Sequence, residues 1–455
     1  MKNKLLSLGL LVILAGSIMI GCDMSTGAGA EAEAPINLSK TLKTDVEVGE
    51  FDETNSVNEM DAIGEVDKVY MEGLTKFAFD MFRKQRDGEN IFISPYSISS
   101  ALSMVYNGAE GETRNEIAEL LGYDMIEGYT SDYSIEANGF MNSNEKYLMD
   151  ALLNADPKVQ LNVANSIWVA ENAKFNDTIE EALLAPARKY YGGDIFQVDF
   201  TLDETLDQVN KWVSDNTDKM IDPFLEQFQD KESLMLIIAN AIYFNGKWTL
   251  PFEKNNTMQA PFYGSEGTSE VDMMHMSGEQ YRYLASKGIR GVEIPYGSEN
   301  LVMNVLIAEE PDNKVIGDLL AEKSSDELNQ FLLELDNSSK IKLGTLALPK
   351  FEMEYGTVDV TNTLKELGME EAFTDNANFS LIGDNIFIST ISHKAKIEVE
   401  EWGTKAAAAT GLEVNTESMP LDPPINFIVD VPFVFTIRDK VTGTILFIGE
   451  MNDLN

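Results

Sequence analysis

A mixed α+β domain is the fold class that the sequence predicts, and three patterns carry the prediction. Leu74, Phe77, Ala78, Met81 and Phe82 fall at i, i+3, i+4, i+7 and i+8, the apolar stripe of an amphipathic helix. Ile391, His393, Ala395, Ile397 and Val399 alternate with mostly polar neighbours, the period of two of a strand with one buried face. Short apolar runs of strand length close the chain, at residues 425–429, 430–435 and 444–450. With 44% hydrophobic residues, a chain of 455 holds ample material for a core. Length alone suggests two or three domains.

Residues 1–21 read as a signal peptide. Lys2 and Lys4 make the start basic, and residues 5–20 are an apolar run broken by Ser7, Gly9, Gly16 and Ser17. Cys22 follows Gly21 and is the only cysteine, which excludes an internal disulfide and a multi-cysteine metal site. Its position resembles the lipobox of prokaryotic lipoproteins, where the thiol is lipidated and becomes the new N-terminus. Met19 stands where that motif usually has leucine. The resemblance implies export and a lipid anchor at Cys22 on the outer face of a membrane. Without lipidation the same segment is an ordinary signal of a secreted protein, or an uncleaved anchor. Residues 22–66 are expected to form an acidic flexible tether, with twelve acids and two lysines between Asp23 and Asp67. The folded domain is expected over residues 67–455.

The formal charge of −42 arises from 76 acids against 34 bases. Such a surface repels phosphate backbones and anionic headgroups, so no nucleic-acid partner is expected, and membrane contact is confined to the anchor.

Along the folded part, several motifs recur in a recognisable order. Asn90-Ile91-Phe92-Ile93-Ser94-Pro95-Tyr96-Ser97 leads into one helix, and Gly108-Ala109-Glu110-Gly111-Glu112-Thr113 opens the next. Ala239-Asn240-Ala241-Ile242-Tyr243-Phe244-Asn245-Gly246-Lys247-Trp248 precedes Pro251-Phe252; Leu348-Pro349-Lys350-Phe351 and Leu367-Gly368-Met369 follow. Residues 400–416 suit two conformations. From Thr404 every second residue (Ala406, Ala408, Thr410, Leu412, Val414, Thr416) is small or apolar, while Lys405, Glu413 and Glu417 lie on the other side. Four alanines favour helix, and Gly403 and Gly411 loosen the chain. Taken alone, the stretch also reads as an Ala-rich surface helix or linker. Pro423-Pro424 then ends it, since two prolines withhold ladder donors.

This order of motifs, from about residue 66 to 455, resembles the serpin family of suicide protease inhibitors. The resemblance implies a single α+β domain with a large central sheet, two further sheets, surrounding helices and an exposed reactive loop at about 401–424. It further implies an inhibitor of the inhibitory type, monomeric and without a cofactor. A serine protease attacks the loop, and the cut loop inserts as a new central strand that traps the acyl-enzyme. Glu401, Gly403, Thr404, Ala406, Ala407, Ala408, Ala409 and Thr410 match the hinge. Counting along the family's loop puts the scissile bond at Glu417–Ser418, which points to a Glu-selective protease. Met419 is the apolar competitor, but Pro420 makes its bond a poor substrate. Ser94, Ser97, Asn240 and His393, with Trp248, match the buried polar network of the opening seam, and Trp248 with Glu401 matches its top. Static packing is the plain alternative for all six. Residues 404–417 span about 46 Å as a strand at roughly 3.3 Å each, enough to cross a domain. Three residues depart from the family pattern: Trp402 in the hinge, Lys405 for the usual glutamate, and Val431 before Pro432-Phe433. None puts a charge on the burying face. The rival reading is a non-inhibitory serpin, a binding or carrier protein whose loop is cut but does not insert.

An enzyme is not expected. The two histidines, His275 and His393, sit in a Met-rich stretch and in an alternating strand, and no G-x-S-x-G, H-E-x-x-H or phosphate-loop motif occurs. No metal site is expected either.

Overall fold

Strand-forming runs rich in Ile, Val and Phe build three sheets, and the helices pack their apolar faces against them. The computed structural model describes residues 36–38, 56–126, 129–130, 135–310, 315–404 and 424–454. The signal segment and Cys22, most of the expected tether, and the loop positions Ala406, Ala407, Ala408, Ala409, Thr410, Glu417 and Ser418 lie outside them.

The first sheet has the order β1-β5-β3-β6-β17-β16-β14. Its members are β1 (Ile36–Asn37), β3 (Val159–Ala170), β5 (Asp194–Val198), β6 (Leu236–Lys247), β14 (Phe351–Asp359), β16 (Ile388–Glu400) and β17 (Gly403–Thr404). A second seven-stranded sheet includes β19 (Phe433–Asp439) and β20 (Ile445–Met451), which pair with each other, and β20 pairs in turn with the edge strand β2 (Ile91–Ile93). A four-stranded sheet includes β8 (Thr268–Met276), β13 (Thr345–Pro349) and β18 (Asn426–Ile428). A minor two-stranded pair, β4 (Lys174–Phe175) with β15 (Gly383–Asp384), completes the set.

β6 is buried on both faces. Leu236, Ile238, Ile242 and Phe244 face the main core, while Ile237, Ala239 and Ala241 join a second cluster with Val209 and Val213. That is why its sequence is almost continuously apolar. Behind the sheet runs α2 (Pro95–Tyr106), buried at every residue and capped by Ser94, whose side chain accepts from Ser97 N–H. Proline at its first position and a serine cap are the sequence signs of that start. α1 (Ser56–Gln85) packs on it through the stripe that contains Leu74, Phe77, Met81 and Phe82. α3 (Gly111–Leu121) and α4 (Ile135–Leu153) cover the same side.

Ordered structure starts ahead of the expected boundary. α1 begins at Ser56, and β1 pairs with β5 through Ile36↔Gln197 and Asn37↔Phe196, both within the stretch expected to be tether. Once the buried turns around Tyr70 nucleate a helix, each upstream residue adds one hydrogen bond, so acidic composition does not stop it. An edge strand likewise pairs through backbone groups, and Asn37 Nδ2 adds a 3.1 Å bond to Asp194. Among the described residues, no helix is long and apolar enough to cross a membrane.

Candidate functional site

The first sheet has an unusual centre. β6 and β16 run parallel and pair directly from Leu236↔Ile388 to Tyr243↔Lys396. Above that they part, and the two residues of β17 lie between them, antiparallel to both. Gly403 is level with Lys247 and Glu400, and Thr404 with Gly246 and Val399. A Cβ at Gly403 would sit 2.1 Å from the Gly246 carbonyl oxygen, and φ there is +139°, so only glycine lets the chain enter.

A junction of aromatic and charged side chains holds this entry. Trp248 Nε1 donates to the Glu400 carbonyl (2.9 Å), and Trp248 N–H to the Trp402 carbonyl (3.0 Å). The Trp248 ring stacks on Tyr296 at 4.4 Å, and the Tyr296 hydroxyl lies 3.0 Å from Thr404 Oγ1. Thr404 is 1% exposed and so faces inward, as its place in the alternation predicts. Glu401 is tied by Thr257 Oγ1 (2.8 Å) and Lys350 Nζ (3.1 Å). Burial pushes its carboxyl up, but hydrogen bonds from its own backbone, Thr257 and Lys350 outweigh that and hold it below the usual carboxylate range.

Lower on the seam lies a buried polar cluster. Ser94 N–H donates to His393 Nε2 (3.0 Å), and His393 Nδ1 lies 2.6 Å from Asn240 Oδ1. A backbone N–H can only donate, so Nε2 accepts and the imidazole carries its single proton on Nδ1. Asn240 Nδ2 donates to Ser97 Oγ (2.6 Å) and Asn165 Oδ1 (2.5 Å), and Ser94 Oγ to the Leu446 carbonyl (2.6 Å). Burial alone depresses His393, to about 3. A second proton would have nowhere to point.

The residues expected to form one seam network thus fall in two places. Ser94, Ser97, Asn240 and His393 are together, whereas Trp248 belongs with Glu401 at the upper junction. The physical reason is reach: Trp248 lies eight residues beyond Asn240, about 26 Å at roughly 3.3 Å per strand residue. Sequence reading missed three participants. Asn165 sits opposite Asn240 on the adjoining strand, an amide amid Val163, Ala164, Ile167 and Trp168. Tyr296 follows the end of its strand. Lys350 was visible only as part of a motif. A polar residue inside an apolar strand was the available signal for Asn165.

Both His393 nitrogens are engaged, and His275 Nδ1 faces the carbonyls of Met273 (3.0 Å) and Asn256 (3.3 Å). Among the described residues, no cluster of three or more His, Cys, Asp or Glu could hold a metal ion.

Comparison with known proteins agrees with this geometry. The family model described as serpin (serine protease inhibitor) matches residues 72–454. A serpin-like protein of Methanosarcina acetivorans is 31% identical over 390 residues, covering 82% of this chain and 85% of that one. A serine protease inhibitor of Cyanea capillata is 33% identical over 373 residues, covering 80% and 92%. The crystal structure of tengpin, a thermophilic serpin in the native state, superposes with a TM-score of 0.76 at 28% identity, covering 92% of this chain and all of that one.

Proposed function

The chain belongs to the serpin family, and from that premise we propose that it is an inhibitory serpin, a suicide substrate of serine proteases. The protease serine adds to the Glu417 carbonyl carbon, the bond to the Ser418 nitrogen breaks, and the Ser418 amine leaves with the proton. The acyl-enzyme then stays covalent because the freed loop inserts between β6 and β16 before water can attack the ester.

One observation carries this reading: β17 already occupies the first two positions of the strand that insertion would complete. Continuing its register, Ala406 and Ala408 fall opposite Phe244 and Ile242 with no charge to desolvate. Insertion would also bury Leu412 and Val414, about 1.5–3 kcal/mol each. Glu417 at the scissile bond favours a protease with a cationic or polar pocket, since an apolar pocket would have to desolvate a carboxylate.

The test is incubation with a panel of serine proteases that includes a Glu-selective one. An SDS-resistant complex is expected, and the nicked protein should unfold at a higher temperature than the intact one. Cleavage with neither complex nor thermal shift would leave a binding or carrier serpin instead. The protein acts as a monomer in this proposal, held to the outer membrane face through Cys22. Cys22→Ser should release it from membranes or block its processing, because stable attachment needs more than one acyl chain. Unchanged partitioning with normal cleavage would remove the lipid anchor.

A further inference from the structure

One register runs through the centre of the first sheet. β6 and β16 pair directly from Ile237↔Thr390 to Tyr243↔Lys396 at a constant offset. The same offset holds at β17, because Thr404 is level with both Gly246 and Val399. A strand that continues β17 therefore meets matched positions on both sides, and β16 need not slide along its own axis to admit it. Lys405 comes first. In this register it falls level with Asn245 and Glu398, above the last direct β6–β16 pair, where the two strands have already parted.

Ile397 and Val399 face the core, so Glu398 between them lies on the outer face of the sheet, half-buried. That face is charged. Lys396 bonds to Glu352 (2.7 Å), Lys394 to Glu354 (2.7 Å), and Lys350 lies 3.7 Å from Glu400. Glu398 itself stands opposite Glu352 across the β14–β16 ladder. Along these two strands Glu352, Glu354, Glu398 and Glu400 outnumber Lys394 and Lys396. The serpin pattern usually has glutamate where this chain has Lys405. A glutamate there would set like charge against Glu398, which is unfavourable for residues directly opposite on adjacent strands. Lysine brings the opposite sign.

We propose that Lys405 is a positioning residue for loop insertion: its ammonium pairs with the Glu398 carboxylate as β17 lengthens, and the pair sets the register in which the rest of the loop is drawn in. Directly opposite residues have Cβ atoms about 5 Å apart, well within reach of both side chains. The pair forms at the first step past Thr404, before any β6–β16 rung has to break.

The rest of the outer row fits the same register. Ala407 falls level with Lys396 and Ala409 with Lys394, so the loop offers a methyl group where β16 carries a long side chain already tied to β14. Gly411 falls level with Ser392. A slip of one residue would turn Lys405 toward the core. A slip of two toward deeper insertion keeps the faces but carries Lys405 to Lys396, like charge against like. The Lys405–Glu398 pair is therefore a stop against overshooting as well as a first hold.

The inference rests on the reading that the loop inserts, and the test separates the two. Four full-length proteins are compared: wild type, Lys405→Glu, Glu398→Lys and the double exchange. Each reacts to completion with serine proteases that cut the loop, and the ratio of SDS-resistant complex to cleaved inhibitor is read on a gel. The rise in unfolding temperature on cleavage is read alongside and should follow the same order. Each single reversal should lower the ratio by about twofold to tenfold, because like charges replace an opposed cross-strand pair. The double exchange should restore most of it, and salt at about 1 M should narrow the spread among the four. A purely structural role for either residue would leave the two losses additive. Unchanged ratios in both single reversals, or losses that add in the double exchange, with insertion seen in the wild type, would overturn the pair alone. Neither complex nor thermal rise in any of the four would overturn the insertion reading and this inference together.

Discussion

The hydroxyls of Tyr296 and Thr404 meet 3.0 Å apart, with both residues at most 1% exposed and the Tyr296 ring stacked under Trp248. Thr404, the first inward residue of the proposed hinge, is thereby seated in a polar contact beside stacked aromatic rings. Its size and charge are constrained, while its hydroxyl contributes little.

Thr404→Arg should therefore turn the inhibitor into a substrate. A guanidinium cannot be buried against Tyr296 without costing several kcal/mol, so the hinge stays out and hydrolysis of the acyl-enzyme wins. The loop should still be cut at the same bond while the covalent complex disappears. Tyr296→Phe removes only one hydroxyl and should cost about 1 kcal/mol of stability with complex formation retained. Equal complex yields from wild type and Thr404→Arg would refute the inward hinge.

Lys350→Ala should weaken the upper junction. Glu401 has a side chain 4% exposed and would keep only Thr257 and backbone partners. Leaving that carboxylate without its cation should cost about 1–3 kcal/mol in denaturant unfolding. Lys350→Ala combined with Glu401→Gln should recover part of the loss, which a double-mutant cycle measures.

His393 gives the fold a pH dependence of definite sign. Its folded value is about 3, against about 6.5 for an unfolded histidine. Between those values the unfolded chain binds the extra proton, so stability rises with pH there and is lost as pH falls below about 6.5. The slope from this residue should reach about 1.4 kcal/mol per pH unit. Glu145 is completely buried with Tyr70 donating to its Oε2, and burial raises its carboxyl above the ordinary value, so it acts oppositely and favours the fold when protonated. Unfolding midpoints of His393→Gln and Glu145→Gln across that range should shift in opposite directions relative to wild type. Parallel shifts would contradict the assignments.

Much of this architecture was legible because it repeats along the chain. The motif at 90–97 announced a helix entry, the family resemblance of residues 239–248 implied a central strand, and the alternation from Thr404 put that residue on the small, apolar side. Contacts between distant residues were not. Asn165 and Asn240 are neighbours only because two strands pair across 75 residues of sequence, and local periodicity carries no trace of that. Tyr296 and Lys350 join the junction from a strand end and a linker between strands, where no period applies. The early start of α1 was hidden by acidic composition, which measures the burial available to a segment but not the helix it can extend. Glu145 looked like any surface acid in a chain with 76 acids and bases in the minority.

Under the proposed insertion mechanism, the short strand β17 changes which step would be slow. Starting a new strand is ordinarily the expensive part, because chain entropy is lost before many hydrogen bonds form. Here the slider of the zipper is already engaged at Val399 and Gly246. Past the splayed stretch above Tyr243↔Lys396, each further residue would exchange one β6–β16 rung for two new ones, so the advance would run downhill until it met a rung that resists. That rung is Asn240–His393, six residues on and about 20 Å away at roughly 3.3 Å per residue. Under the proposed mechanism the race against hydrolysis would be decided in the middle of the sheet, and a molecule meant to stall insertion should wedge there rather than at the hinge.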